Sequence, residues 1–412
     1  MITKIKLENY RSYREAEFPL KPLTALIGPV GGGKSNFFKA LVLLKNIVSR
    51  DWNEIFPSQG FRWTRNRLAK ETDPIGFEVE IDELVDYPEE KARYLIQIAE
   101  GPNGIYVVRE ELIRISPGIP ETWIFRRDKH GGKAYRLGDF EPFDASILTR
   151  SKNIFIDPDT RELQVRYGYV TPGQKTNDEV ELKFIKNVAD SLDSLWYYHL
   201  EASKLKEPGE GQENHIVRSF GDKLPDFWAW LRNNDSNGSA ISSIENDLKE
   251  ILPDFQKVFL SRINPDSQSI FMSFEHNKRP YDISANDLSD GTMFVLGLLC
   301  IVRHPLKRRM ICIEEPETGL HPRLMRWLLD KFVGLSYPDE KDKRVQVILS
   351  THSPYFLDLF AEMQDSVLVI EQKEGESKAT PLVEIQRMLR ITGDTGVPLG
   401  YEWASGLFEG LR

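Results

Sequence analysis

Three observations predict an α/β fold: a sheet flanked by helices, with an α+β region inserted between its two halves. First, residues 23–27 are a short apolar run bounded by Pro22 and Gly28, the pattern of a buried strand. Residues 36–47 follow with Phe37, Phe38, Leu41, Leu44 and Ile47 at helical spacing. Second, apolar runs of strand length recur far along the chain, at 310–314 and 345–351, after an apolar helical stretch at 293–302. Third, the middle of the chain is broken by Pro57, Pro74, Pro88, Pro102, Pro117, Pro120, Pro142, Pro158 and Pro172, which forbid long continuous helices. Within it, 76–81 and 94–98 alternate apolar and polar residues, and 105–115 is rich in Ile, Val and Tyr, so these read as strands. Residues 241–251 put Ile244, Leu248 and Ile251 on one helical stripe.

The N-terminal strand and helix are joined by Gly28-Pro29-Val30-Gly31-Gly32-Gly33-Lys34-Ser35, which fits G-x-x-x-x-G-K-[ST] in the strand–turn–helix context that the pattern requires. A glycine-rich turn lets backbone N–H groups close around phosphate oxygens, and the helix N-terminus adds partial positive charge there. Lys34 is expected to reach the β/γ-phosphates and Ser35 a Mg²⁺ ion. Residues 28–36, closing with Asn36, are therefore the candidate binding set for a nucleoside triphosphate, ATP with Mg²⁺.

The second half carries Leu288-Ser289-Asp-Gly291-Thr292, then Met310-Ile-Cys-Ile-Glu314-Glu315-Pro-Glu-Thr-Gly-Leu-His-Pro322, then an apolar strand ending in Ser-Thr-His352-Ser-Pro354. Glu314 ends an apolar strand, where its carboxylate can bind Mg²⁺ through water. Glu315 follows as the candidate general base that polarises the attacking water. His352, capping the next strand, is placed for the γ-phosphate. Ser289 and Gly291 open a helix, expected over 292–302, whose N-terminus suits the same group.

This order of motifs resembles the ABC-type ATPases: P-loop, signature, Walker B strand with a following glutamate, switch histidine. The variant letters look most like the RecF/SMC-like branch, the AAA-family or OLD-like ATPases. Leu7-Glu-Asn-Tyr-Arg11-Ser12 resembles that branch's opening segment, which implies that Arg11 lies near the nucleotide. Val30 stands where the branch carries asparagine, and Thr292 where a glutamine is commoner. Gln59 is a candidate for the family's Q-loop glutamine. The resemblance implies an ATPase head built from residues 1–50 and 271–412, with 51–270 an inserted α+β region packed on it. It further implies that the P-loop and the later motifs meet in one site, and that two chains sandwich ATP head-to-tail as a homodimer or higher oligomer. OLD-family nucleases carry a Toprim domain after the ATPase. The stretch after Ile370 is short and has no D-x-D, so any nuclease activity is expected from a partner.

Composition limits the partners. Hydrophobic residues make up 40% and charged residues 28%, a globular balance. No apolar run approaches the roughly 20 residues needed to span a bilayer and no leader is evident, so no membrane is expected and a cytoplasmic location is. The two cysteines, Cys300 and Cys312, sit in apolar segments as core thiols, and the seven histidines lack zinc-ligand spacing. A net charge of −9 opposes polyanion binding overall. Basic stretches at Arg126, Arg127, Lys129, Lys133, Arg136 and at Arg303, Lys307, Arg308, Arg309 keep DNA as a possible partner. Two function classes follow: an ATP-driven switch controlling an effector protein or nuclease in an antiviral defence-type system, and a DNA-binding ATPase of recombination or repair.

Overall fold

The computed structural model describes residues 1–50, 52–56, 60–102, 104–128, 131–134, 138–140, 154–156, 163–165, 177–235, 238–306, 309–340, 343–389 and 396–406. Gln59, Lys129, Arg136, Lys307 and Arg308, and the side chains of Arg127 and Lys133, lie outside that description. The chain divides into two compact units, Met1–Leu195 with Gln364–Gly393, and Trp196–Met363 with Asp394–Arg412. The P-loop belongs to the first, and the signature, the paired glutamates and His352 to the second.

In the first unit, Ile2–Tyr10 alternates as expected of a sheet strand, with Ile2, Ile5, Leu7 and Tyr10 buried. It starts an eight-stranded antiparallel sheet in the order Tyr13–Pro19, Ile2–Tyr10, Ile75–Ile81, Lys91–Gly101, Gly104–Ile115, Thr122–Asp128, Gly131–Ala134, Gly138–Phe140. The strands predicted at 76–81, 94–98 and 105–115 are thus present, and they extend the N-terminal hairpin rather than forming a sheet of their own. Ile5 faces Val79 and Leu7 faces Phe77, so one apolar face runs without a break from the first strand into the middle of the chain. Opposite charges ladder the other face: Lys4 with Glu80 at 2.5 Å, Lys6 with Glu15 at 2.8 Å.

The same unit holds a smaller sheet portion. Leu23–Ile27, buried at every position, pairs in parallel with Val367–Lys373, which pairs antiparallel with Glu376–Pro381. A strand buried on both faces is predominantly apolar, which is why 23–27 shows no alternation; its one polar residue, Thr24, bonds to the Lys21 backbone. The helix Lys34–Ser49 follows, burying Phe37, Phe38, Leu41, Leu44, Ile47 and Val48.

In the second unit, Met310–Glu314 pairs in parallel with Gln346–Thr351 in the register Met310↔Gln346 to Glu314↔Ser350, and Leu195–Tyr198, starting at the unit boundary, lies beside the former. Parallel strands need a crossover, supplied by the helix Pro322–Ser336. The helix Asp290–Val302 is apolar almost all round and buries every residue from Met293 to Val302, including Cys300; Cys312 is likewise a buried free thiol. The amphipathic helix predicted at 241–251 spans Ser239–Ile251, with Ile244 and Leu248 inside. It precedes a three-stranded antiparallel meander, Phe255–Asn264, Ser267–His276 and Arg279–Ser284. No described helix is long and apolar enough to cross a membrane.

Candidate nucleotide site

The P-loop begins where the fully buried strand Leu23–Ile27 ends. Gly28 has φ +150°, and a Cβ there would lie 2.0 Å from the carbonyl oxygen of Ile370 on the neighbouring strand. The chain can therefore turn at this point only as glycine. Gly28→Ala is expected to cost about 2–5 kcal/mol of stability through strain and overpacking, read as a lower urea midpoint with an unchanged slope.

Gly33, at φ +123°, is the N-cap of the helix Lys34–Ser49. A Cβ there would meet Ser377 Oγ at 2.6 Å and Tyr13 Oη at 2.9 Å. Those hydroxyls instead bond to the loop: Tyr13 donates to the carbonyl of Gly33 at 2.9 Å, and Ser377 donates to that of Gly32 at 2.6 Å. Ser12 adds a third tie, accepting from Asn36 Nδ2 at 2.9 Å. With the Gly33 and Gly32 carbonyls held from behind and the Gly32 N–H donating to Pro29 O at 3.1 Å, the loop is fixed in shape before any ligand arrives. The helix has no side-chain cap and no acidic residue in its first turn, so its N-terminal charge is uncompensated there. The Lys34 ammonium donates to the carbonyls of Gly28 at 2.7 Å and Pro29 at 3.0 Å. Ser35 is exposed on the first turn. Val30 is 88% exposed, so whatever this position contributes comes from its backbone. Arg11 has φ +47°, held by its N–H to Thr64 O and by Asn66 Nδ2 to its own carbonyl at 2.7 Å. Its Nε is buried without a hydrogen-bond partner among the described residues.

In the second unit, Glu314 ends its strand buried, and both carboxylate oxygens are engaged. Tyr197 Oη donates to Oε1 at 2.9 Å, and His199 Nδ1 lies 3.4 Å from Oε2. The Glu314 carboxylate holds the His199 imidazole above the usual histidine range. Burial and the same charge push the Tyr197 phenol far up, so it remains a donor. The sequence does not single out either residue: Tyr197 is one of three aromatic residues in Leu195–Tyr198, and His199 follows that strand.

Glu315 follows at φ +48°, and its N–H donates to Ser350 O at 3.0 Å. That turn lifts its carboxylate off the sheet to half-exposure, 3.6 Å from His352 Nε2. The two residues predicted to act on the γ-phosphate side are therefore neighbours. Glu317 is buried behind them. Its Oε1 accepts from Thr351 Oγ1 and from the His352 N–H at 3.3 Å, and burial pushes its carboxyl up.

Ser289 caps the helix Asp290–Val302, its Oγ accepting from Thr292 N–H at 3.1 Å. The helix thus begins two residues before the predicted 292, because Ser289 satisfies an N-terminal donor. A Cβ on Gly291 would lie 2.9 Å from the carbonyl of Gly319, so the signature packs directly on the turn that follows the paired glutamates. The basic stretches contribute ion pairs instead of a bare surface where they are described: Arg126 with Glu111 at 2.9 Å, Arg303 with Asp247 at 2.7 Å. Among the described residues, no three His, Cys, Asp or Glu side chains gather as a metal centre of their own.

Residues 23–358 match the family described as AAA domain, putative AbiEii toxin, type IV TA system. An OLD nuclease of Thermus scotoductus (strain ATCC 700910 / SA-01) is 22% identical over 378 residues, covering 87% of this chain. The chain spans 60% of that relative's length. Among solved structures, an SMC head bound to the C-winged helix domain of ScpA superimposes with a TM-score of 0.50 at 13% identity, covering 92% of this chain and 97% of that one. At that identity the likeness concerns the fold, which is that of an ATPase head.

Proposed function

The chain belongs to the AAA-domain family described as putative AbiEii toxin of type IV TA systems, as an ABC/AAA-type ATPase of the RecF/SMC-like branch, and from that premise we propose that it binds and hydrolyses ATP as a nucleotide-driven dimer switch. The observation that carries this is the pairing of Glu315 with His352 at 3.6 Å, on a strand end whose preceding carboxylate, Glu314, is independently braced. Hydrolysis needs phosphate charge neutralised, a water aligned and a base to polarise it. Backbone N–H groups of the 28–36 segment, Pro29 having none, and the Lys34 ammonium supply the first, with Ser289 and Gly291 of the signature acting from the partner chain. Glu315 supplies the base, and His352 and Arg11 supply donors to the phosphates.

Mg²⁺ fits the donors available. It takes one or two hard oxygen ligands from protein and the rest from phosphates and water. The Ser35 hydroxyl is exposed, and the Glu314 carboxylate is held by Tyr197 and His199 in a fixed orientation. The ion would neutralise phosphate charge; the chain's own residues orient and polarise.

Closure on ATP would change what the remaining surface offers to a partner effector, in a defence-type system. The family's toxin–antitoxin description and the likeness to an OLD nuclease support this over a DNA clamp. So does the ion-pairing of Arg126 with Glu111 and of Arg303 with Asp247, which offsets part of the positive charge that a phosphate would meet there.

Subunit mixing tests the dimer. Lys34→Ala disables the P-loop, and Ser289→Arg places a bulky cation at an exposed helix cap. Each alone should be inactive, because every composite site in either homodimer carries a lesion. An equal mixture that exchanges subunits makes roughly half its dimers mixed, each with one intact site. Recovery should then reach about a quarter of the wild-type rate if sites are independent. Ser289→Arg remaining fully active alone, with its melting temperature unchanged, would remove the signature from the mechanism.

A further inference from the structure

We propose that Glu317 is a positioning residue whose buried carboxyl fastens the turn after Glu315 to the turn carrying His352, and so sets the separation of those two side chains. Its consequence for turnover rests on the hydrolytic roles proposed above; the tie itself is independent of them. Regular pairing of the two strands ends at Glu314 and Ser350, with one further bond from Glu315 N–H to Ser350 O. Past that point a side chain takes over. Glu317 Oε1 accepts both from Thr351 Oγ1 and from the His352 N–H. Thr351 Oγ1 accepts in turn from Ser353 N–H at 2.9 Å, and Ser353 Oγ accepts from Phe356 N–H at 3.2 Å, capping the helix Pro354–Asp358. On the other side the Glu317 carbonyl accepts from Leu320 N–H, and Glu315 O from Thr318 N–H, which stiffens the turn around Gly319. One carboxyl therefore joins two consecutive turns, each carrying a residue assigned to the γ-phosphate.

The placement is costly. Glu317 is 7% exposed, and its Oε2 is buried with no hydrogen-bond partner among the described residues. An apolar side chain would fill that space without the desolvation cost, so packing alone does not explain a carboxyl there. The bonds accepted by Oε1 do. Without them the His352 turn is free to shift, and a displacement of about 1 Å at a reacting centre costs on the order of a hundredfold in rate.

The experiment compares Glu317→Ala, Glu317→Gln and Thr351→Val in the full chain. Three quantities are read: affinity for a fluorescent ATP analogue, kcat and KM for Mg·ATP, and amide hydrogen exchange at residues 351–353. Glu317→Ala should keep nucleotide affinity within about twofold, lower kcat about 10- to 100-fold, and speed exchange at 351–353 about tenfold or more. Glu317→Gln keeps an acceptor oxygen in place and should restore most of both. Thr351→Val removes the donor from the same bond while keeping the shape, and carries the comparison should the alanine variant not fold. Wild-type kcat with unchanged exchange in Glu317→Ala or Thr351→Val overturns the assignment. So does an equal loss in the glutamine variant. A wild type that never hydrolyses ATP removes the roles of Glu315 and His352 instead; exchange at 351–353 then decides the tie alone, unchanged exchange overturning it.

Discussion

Lys34→Ala should lower ATP affinity at least about a hundredfold, read by titration with a fluorescent analogue. The ammonium is the one formal positive charge within the P-loop motif, and it faces a ligand carrying several negative charges in a site screened from water. Charge-assisted bonds under those conditions are worth far more than exposed ones. In the free protein the same ammonium donates to the carbonyls of Gly28 and Pro29, so the loop is held in shape by the group that will later engage phosphate. Binding exchanges two neutral acceptors for charged ones. The substitution leaves those two carbonyls short of a donor next to Gly28, so a small drop in melting temperature should accompany the loss of binding. The core burial of Phe37, Phe38 and Leu41 behind the loop is untouched, and the fold should persist.

Glu315→Gln should bind ATP as the wild type does and lose about 10²- to 10⁴-fold in turnover. The amide has nearly the same size and makes the same turn at φ +48°, where the backbone N–H bond to Ser350 O is unaffected. Only the ability to accept a proton goes. The separation from His352 should change little, since the amide oxygen can stand where the carboxylate oxygen stood. Since binding survives and hydrolysis does not, ATP should hold this variant in its closed state. Light scattering should report growth from one chain to two on adding Mg·ATP, slow to reverse. A variant that turns over at the wild-type rate removes Glu315 from the base role.

Much of this is legible in the amino-acid sequence. A glycine-rich turn between a short apolar run and an amphipathic helix has few alternatives, and Leu23–Ile27 and Lys34–Ser49 lie where the pattern puts them. The strand ends at Glu314 and Thr351 are equally plain, the first because charged residues break the apolar run and the second because His352, Ser353 and Pro354 do. Alternation also found the strands of the middle region. It could not name their partners: period two fixes which face is buried and says nothing about which neighbour pairs. Hence the alternation marks 76–81 as a strand, and only the structure shows that it pairs with Ile2–Tyr10. The braces of the site were hidden for a related reason. Tyr197, His199 and Glu317 act through Glu314, Thr351 and the His352 backbone, up to 117 residues away in sequence, and nothing in the spacing of these residues points to those partners. Tyr13 and Ser377, which hold the P-loop carbonyls, are separated from them by 20 and 345 positions.

The most direct test of ATP hydrolysis at this site is phosphate release from Mg·ATP by wild type, Lys34→Ala and Glu315→Gln side by side, with bound nucleotide measured in the same samples. Expected are turnover with binding in the wild type, neither in Lys34→Ala, and binding without turnover in Glu315→Gln. Phosphate release by the wild type no faster than by Lys34→Ala, despite bound ATP, would contradict the account.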